Sequence, residues 1–160
     1  MNHSQRIAEI AILRHEKIDF GLDDPDHAPN LVYHFVREQR GPHMRISAID
    51  RLGYCICLVT GGEAVFEHFG QKAHLCYGSV FFRRHNAPYT FNSLADSGLN
   101  VTMMMLDPRI ETRWNRVVPE DVIAIRLAHP AKLIEITSQF FELLQHNPLK
   151  RIERANAFAP

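Results

Sequence analysis

Between Gly53 and Thr102 the chain reads GYCICLVTGGEAVFEHFGQKAHLCYGSVFFRRHNAPYTFNSLADSGLNVT. Short apolar runs alternate there with turn residues at regular intervals, the pattern of a small β-barrel or sandwich. Tyr54–Thr60 is the first run, and Gly61-Gly62 turns it back into Glu63–Phe69. Gly70 opens the next turn, Ala73–Tyr77 returns, and Gly78 starts Ser79–Arg83. Pro88 interrupts, Tyr89–Asn92 resumes, and Leu99–Leu106 closes the series before Asp107-Pro108 stops it. Two earlier runs, Leu31–Arg37 and Met44–Leu52, read as strands that join the same barrel.

At 160 residues the chain has room for one domain with a real core. Lys plus Arg is 18 and Asp plus Glu is 18, so the balance is zero and supplies no electrostatic footprint for nucleic acid. No apolar run reaches membrane-span length, and the polar start MNHSQRIAEI lacks the apolar core of a signal peptide. A cytoplasmic location is expected. The three cysteines, Cys55, Cys57 and Cys76, lie inside apolar runs. Cys55 and Cys57 share a strand face, a poor disposition for a disulfide. A soft-metal site of Cys55, Cys57 and His74 lacks zinc-knuckle spacing, so buried thiols are the expectation.

Outside the barrel, Ile7, Ile10, Leu13 and Ile18 have the spacing of a short leading helix or arm, and residues 21–30 form a turn-rich loop. Pro119-Glu120-Asp121 resembles a helix start, but VIAIRL after it is β-branched enough to be a strand. Leu133, Ile136, Phe140 and Leu143, spaced three, four and three, predict a helix over residues 131–147. Its apolar stripe is wider than one barrel wall needs, and either packs on the barrel or meets another subunit.

Residues suited to chemistry are sparse as motifs. No H-x-H pair occurs, the ten histidines are scattered, and only His34, His43 and His85 are candidates to converge on a metal. No nucleophile elbow or phosphate-cradling loop is present. The expectation is a protein that is not an enzyme and carries no cofactor. Ligand-pocket walls are better supplied, by Tyr54, Phe81, Tyr89, Phe91, Met103 and Met105, with Arg45, Arg51, Asn100 and Thr102 as polar groups near them.

Gly53-Tyr54, Leu58, Gly62, Gly78, Pro88, Phe91 and Asp107-Pro108-Arg109 stand in an order that resembles the effector-binding domain of AraC-type transcriptional regulators. The resemblance covers about residues 37–119, and the helix more loosely. It implies a mainly β, cupin-like double-stranded β-helix barrel at 31–106, after an arm and loop at 1–30. A helical dimerisation segment at 107–147 and a linker or tail at 148–160 follow.

In function it implies a ligand-sensing domain that binds a small polar effector such as a sugar. The ligand-binding residues would be Arg45, Arg51, Tyr89, Phe91, Asn100 and Thr102. A homodimer would form through Leu133, Ile136, Phe140 and Leu143. DNA would be contacted only through a C-terminal domain absent from this chain. A metal-dependent cupin enzyme, such as a small dioxygenase or isomerase, and a stand-alone sugar-binding module are the alternatives.

Overall fold

A computed structural model of the chain describes residues 12–19, 32–51, 53–94 and 96–146. Ten strands form two antiparallel sheets among them. They are β1 (Ile12–Asp19), β2 (Val32–Arg40), β3 (Arg45–Ile49), β4 (Tyr54–Gly62), β5 (Ala64–His68), β6 (Gln71–Leu75), β7 (Ser79–Arg83), β8 (Pro88–Ser93), β9 (Leu99–Leu106) and β10 (Ala124–Arg126). One sheet runs β1-β2-β9-β4-β7-β10 and the other β3-β8-β5-β6. The fold is a cupin-like barrel with helices α1 (Glu111–Val117) and α2 (Pro130–His146) after it. No helix among the described residues is long and apolar enough to cross a membrane.

Alternation sorts the side chains into two cores. Cys55, Cys57 and Val59 of β4 point inward with Leu99, Val101 and Met103 of β9, Phe81 of β7, and Phe66 and Phe91 of the smaller sheet. Their neighbours Tyr54, Leu58, Val80 and Phe82 point outward and are buried too, because Trp114 of α1 and Phe141 and Leu144 of α2 cover them. The central strands β4, β7 and β9 are thus covered on both faces over most of their length. The outer face of the four-stranded sheet is left to polar residues such as Arg45, Ser47 and Thr90.

The hairpins depend on glycine where the backbone turns left-handed. Gly62 has φ +78°, and a Cβ there would lie 2.3 Å from the Gly98 carbonyl oxygen. Any side chain would force the β4–β5 turn off the residues that precede β9.

Two expectations from sequence change. Residues 12–19, read as helix-like, form β1 and pair with β2 from Ile12↔Arg40 to Asp19↔His34. Pairing along a whole strand outweighs a weak helical spacing. The segment after Pro119 resolves as a strand, β10, which adds to β7 by Ala124↔Phe81 and Arg126↔Ser79. Residues 21–30 and 148–160 lie outside the described residues, as do the arm positions Ile7 and Ile10.

Candidate functional site

One end of the barrel interior carries charge. Arg83, the last residue of β7, shares the inward parity of Phe81 and is 6% exposed. Its Nε lies 3.0 Å from Asp50 Oδ2, and its Nη1 donates to the Tyr89 hydroxyl at 2.7 Å. Its guanidinium also stacks on the Tyr89 ring at 4.7 Å. Cys55, opposite Arg83 on β4, lies 3.5 Å from Cys57 between sulfurs. A second buried arginine, Arg40 of β2, donates from Nε to Glu38 and lies 4.8 Å over the Phe91 ring. Its Nη1 is buried without a hydrogen-bond partner. An orphaned buried donor is costly in a finished core, and this one belongs to a rigid, forked, permanently charged group.

These neighbours set one another's protonation. The hydrogen bond from Cys57 holds the Cys55 thiol down to about 7, with help from Arg83 and against burial. Burial pushes Cys57 well up, and the bond to Cys55 adds to that. Burial also raises the Asp50 carboxyl, an effect that Arg83 and Arg40 only partly offset. Arg83 stays charged: burial opposes it, but Cys55, Cys57, Tyr89 and Asp50 outweigh burial. Beside this cluster, His68 is fixed as a neutral ring. Its Nδ1 donates to the Pro88 carbonyl at 2.8 Å, its Nε2 accepts from the Arg84 amide at 3.2 Å, and burial lowers its pKa.

Two clefts flank this end. One, of about 500 Å³, runs between α1 and the β7–β8 turn, with Tyr54, Arg84, His85, Glu111 and Glu120 on its walls. The other, of about 450 Å³, crosses Ala48, His68, Pro88 and Tyr89. Phe69 borders both, is 54% exposed and has φ +52°, an unusual conformation for a bulky residue. Arg84 holds the fold together here, because its guanidinium donates to Asn115 Oδ1 and to the carbonyls of Val118 and Pro119 and so ties the end of α1 to the barrel.

The residues singled out from sequence are brought together only in part. Tyr89 and Phe91 face the interior, with Tyr89 on Arg83 and Phe91 under Arg40. Arg45 points outward from β3, and Arg51 is exposed after it. Asn100 and Thr102 have the opposite parity to Val101 and Met103, so both lie on the outer face of the larger sheet. Asn100 lines a cleft of about 400 Å³ there with Arg37 and Glu142, and Thr102 is buried. His34, His43 and His85 do not gather, and no group of three or more His, Cys, Asp or Glu suited to a metal occurs among the described residues. His74 is exposed on β6 and bonds Glu63 at 3.2 Å. Arg40, Arg83 and Asp50 do not stand out in the sequence. The parity of Arg83 with Phe81, and of Arg40 with Val36, is the signal that marks both as inward.

No protein-family profile matches the chain, and no curated protein matches it. Solved structures do. A cupin domain of Schizosaccharomyces pombe Cnp3 aligns with 72% of this chain and 82% of its own, at 5% identity and TM-score 0.49. A predicted oxalate decarboxylase of Thermotoga maritima aligns with 49% of this chain and 69% of its own, at 18% identity and TM-score 0.45. A structure of DMSP lyases aligns with 45% of this chain and 37% of its own, at 22% identity and TM-score 0.41. The expectation that the protein is not an enzyme is not carried forward: two of the three structures are named for enzymes, a likeness that extends to the fold. That expectation rests on missing linear motifs. A barrel gathers its reactive groups from separate strands, as Asp50, Cys55, Arg83 and Tyr89 are gathered here, and leaves no local motif to find.

Proposed function

We propose that this chain is a small-molecule-binding cupin domain that holds its ligand in the barrel interior, between the Arg40 and Arg83 side chains. In this reading it is the effector-sensing, dimer-forming part of an AraC-type transcription regulator. The observation that carries the binding site is the buried Nη1 of Arg40, which lacks a hydrogen-bond partner in an interior that also holds Arg83, Asp50 and Tyr89. Aromatic walls with a few aimed polar groups are what a small ligand requires. Paired guanidinium donors suit a hydroxylated or carboxylated compound. The AraC-type context is supported by the order of residues from Gly53 to Arg109 and by the helix that follows.

A thermal-shift screen over pentoses, hexoses, uronic acids and small aromatic acids tests the site. The ligand is expected to raise the unfolding midpoint, because it binds the folded state alone. Arg40→Lys keeps the charge and loses the fork, and should weaken binding by about tenfold. Equal binding by Arg40→Lys would place the ligand elsewhere.

Dimerisation rests on α2. Leu133, Ile136 and Leu143 are 39%, 43% and 48% exposed, whereas Phe141 and Leu144 are buried against the barrel. Phe140 is half-buried, with its ring 5.9 Å from that of Phe35, so it serves the barrel as well as the outer stripe. Leu143→Glu is therefore the cleaner probe. A two-fold seam meets each substitution twice, so sedimentation at micromolar concentration should show a dimer for the parent and a monomer for Leu143→Glu. A monomeric parent, or an undisturbed dimer in the variant, counts against the seam.

One observation favours a second reading, in which the bound compound is also transformed. Cys55, held down to about 7, lies beside a guanidinium and a raised carboxyl, a combination suited to nucleophilic or proton-transfer chemistry. If the protein turns its ligand over, Cys55→Ser should abolish turnover and leave the thermal shift by that ligand intact.

A further inference from the structure

The register of β4 against β9 places four sulfur side chains together in the barrel. Cys55 stands opposite Met105, and Cys57 opposite Met103. Residues directly opposite across an antiparallel pair lie about 4.5–5.5 Å apart at Cα, and residues two apart on a strand share a face. All four side chains therefore project inward from two alternate rungs of the ladder, and they belong to one packed cluster. Met104, between the two methionines, turns outward into the other cluster. The two thiols are fully buried and 3.5 Å apart between sulfurs, Met103 is 4% exposed, and Met105 is half-buried.

Arg83, the β7 neighbour of Cys55, adds a permanent positive charge to the first rung. Arg83 is held there by Asp50 and Tyr89, and its charge also reaches both thiols. A pair of thiolates gains a counter-charge.

We propose that the barrel interior binds a soft, thiophilic metal ion, copper(I), through Cys55 and Cys57, with Met103 and Met105 as thioether donors. Thiolate and thioether ligands select Cu(I) over harder divalent ions, and a dry apolar shell suits a monovalent ion. Zinc would call for four thiolate, imidazole or carboxylate ligands, and this cluster offers two. Binding displaces the two thiol protons. The complex of Cu⁺ with two thiolates carries one negative charge, and Arg83 beside it supplies a positive field that it shares with Asp50. Met105, the half-buried member of the four, marks the approach from solvent. The site shares Cys55 and Arg83 with the interior proposed above to hold an organic ligand, and copper uptake tests it without that ligand.

The test is an anaerobic titration of the purified chain with Cu(I) against a chromophoric chelator, in a Cys76→Ser background that removes the partly exposed third thiol. An equimolar copper uptake with a thiolate-to-copper ultraviolet band is expected, together with an X-ray absorption spectrum showing sulfur neighbours only. Copper should raise the unfolding midpoint, and zinc should not compete. Cys55→Ser/Cys57→Ser should abolish uptake. Met103→Leu/Met105→Leu, a volume-conserving change, should keep the fold and weaken affinity by about tenfold or more. Uptake that survives loss of both cysteines would overturn the site, as would nitrogen or oxygen neighbours in the absorption spectrum or unchanged affinity in the methionine pair. The absorption spectrum and the methionine pair decide the matter even if the cysteine variant does not fold.

Discussion

Arg83→Met is expected to destabilise the protein by about 3–5 kcal/mol at neutral pH, the cost of stranding one member of a buried ion pair. Arg83 and Asp50 are 6% and 10% exposed and 3.0 Å apart, so solvent cannot take over the lost charge. Asp50 already has its carboxyl raised by burial, and loss of the cation raises it further. A carboxyl with a raised folded-state pKa binds its proton more tightly in the folded than in the unfolded chain. Stability then falls as pH rises through that pKa and recovers as pH falls. The deficit of Arg83→Met relative to the parent should therefore shrink on acidification, and Arg83→Met/Asp50→Asn should be more stable than Arg83→Met alone. Urea unfolding of these two variants, of Asp50→Asn alone and of the parent at two pH values checks this. Simple additivity of the two substitutions would show that the pair is not coupled.

The second large effect is expected at Phe141. It is fully buried where α2 meets the six-stranded sheet, its ring is 5.3 Å from that of Phe35, and the Arg37 guanidinium lies 4.5 Å above it. Phe141→Ala should cost about 3–5 kcal/mol through lost burial and the cavity left behind. Ser138→Ala, three residues earlier and on the exposed side of the helix, should change monomer stability by no more than about 0.5 kcal/mol. Chemical denaturation followed by far-ultraviolet circular dichroism reads both. Similar losses at the two positions would mean that α2 is not docked through its Phe141 side.

The barrel is legible from sequence because its turns are punctuated by glycine and its strands are short. The helix is legible because Leu133, Ile136, Phe140 and Leu143 keep a helical spacing. The interior is harder to read, for a physical reason. A strand covered on one face alternates visibly, but β7 reads SVFFR and is buried at every position. With helices on one side and the opposite sheet on the other, apolar residues occupy both faces and erase the period of two. The strand that carries Asn100 and Thr102 is ambiguous in the same way, and its pairing puts both residues outside the pocket walls. Arg45 and Arg51 draw attention because they precede the Gly-Tyr run. The inward arginines instead end β2 and β7, where a charged residue closing a strand is easily read as lying in solvent. The β1 strand escapes a local reading because its pairing partner, β2, lies beyond any short window.

Unequal covering of the two sheets also fixes where the protein tolerates alteration. An outward position on the six-stranded sheet, such as Leu58 or Phe82, is a second core position under a helix. An outward position on the four-stranded sheet faces water: Ser47, Thr90, Glu67 and Lys72 lie side by side across β3, β8, β5 and β6. The same outward parity therefore predicts severe damage on one side of the barrel and near-neutral change on the other. A spectroscopic label or affinity handle belongs at Lys72, which is exposed on the edge strand β6 and lies outside the clefts described above.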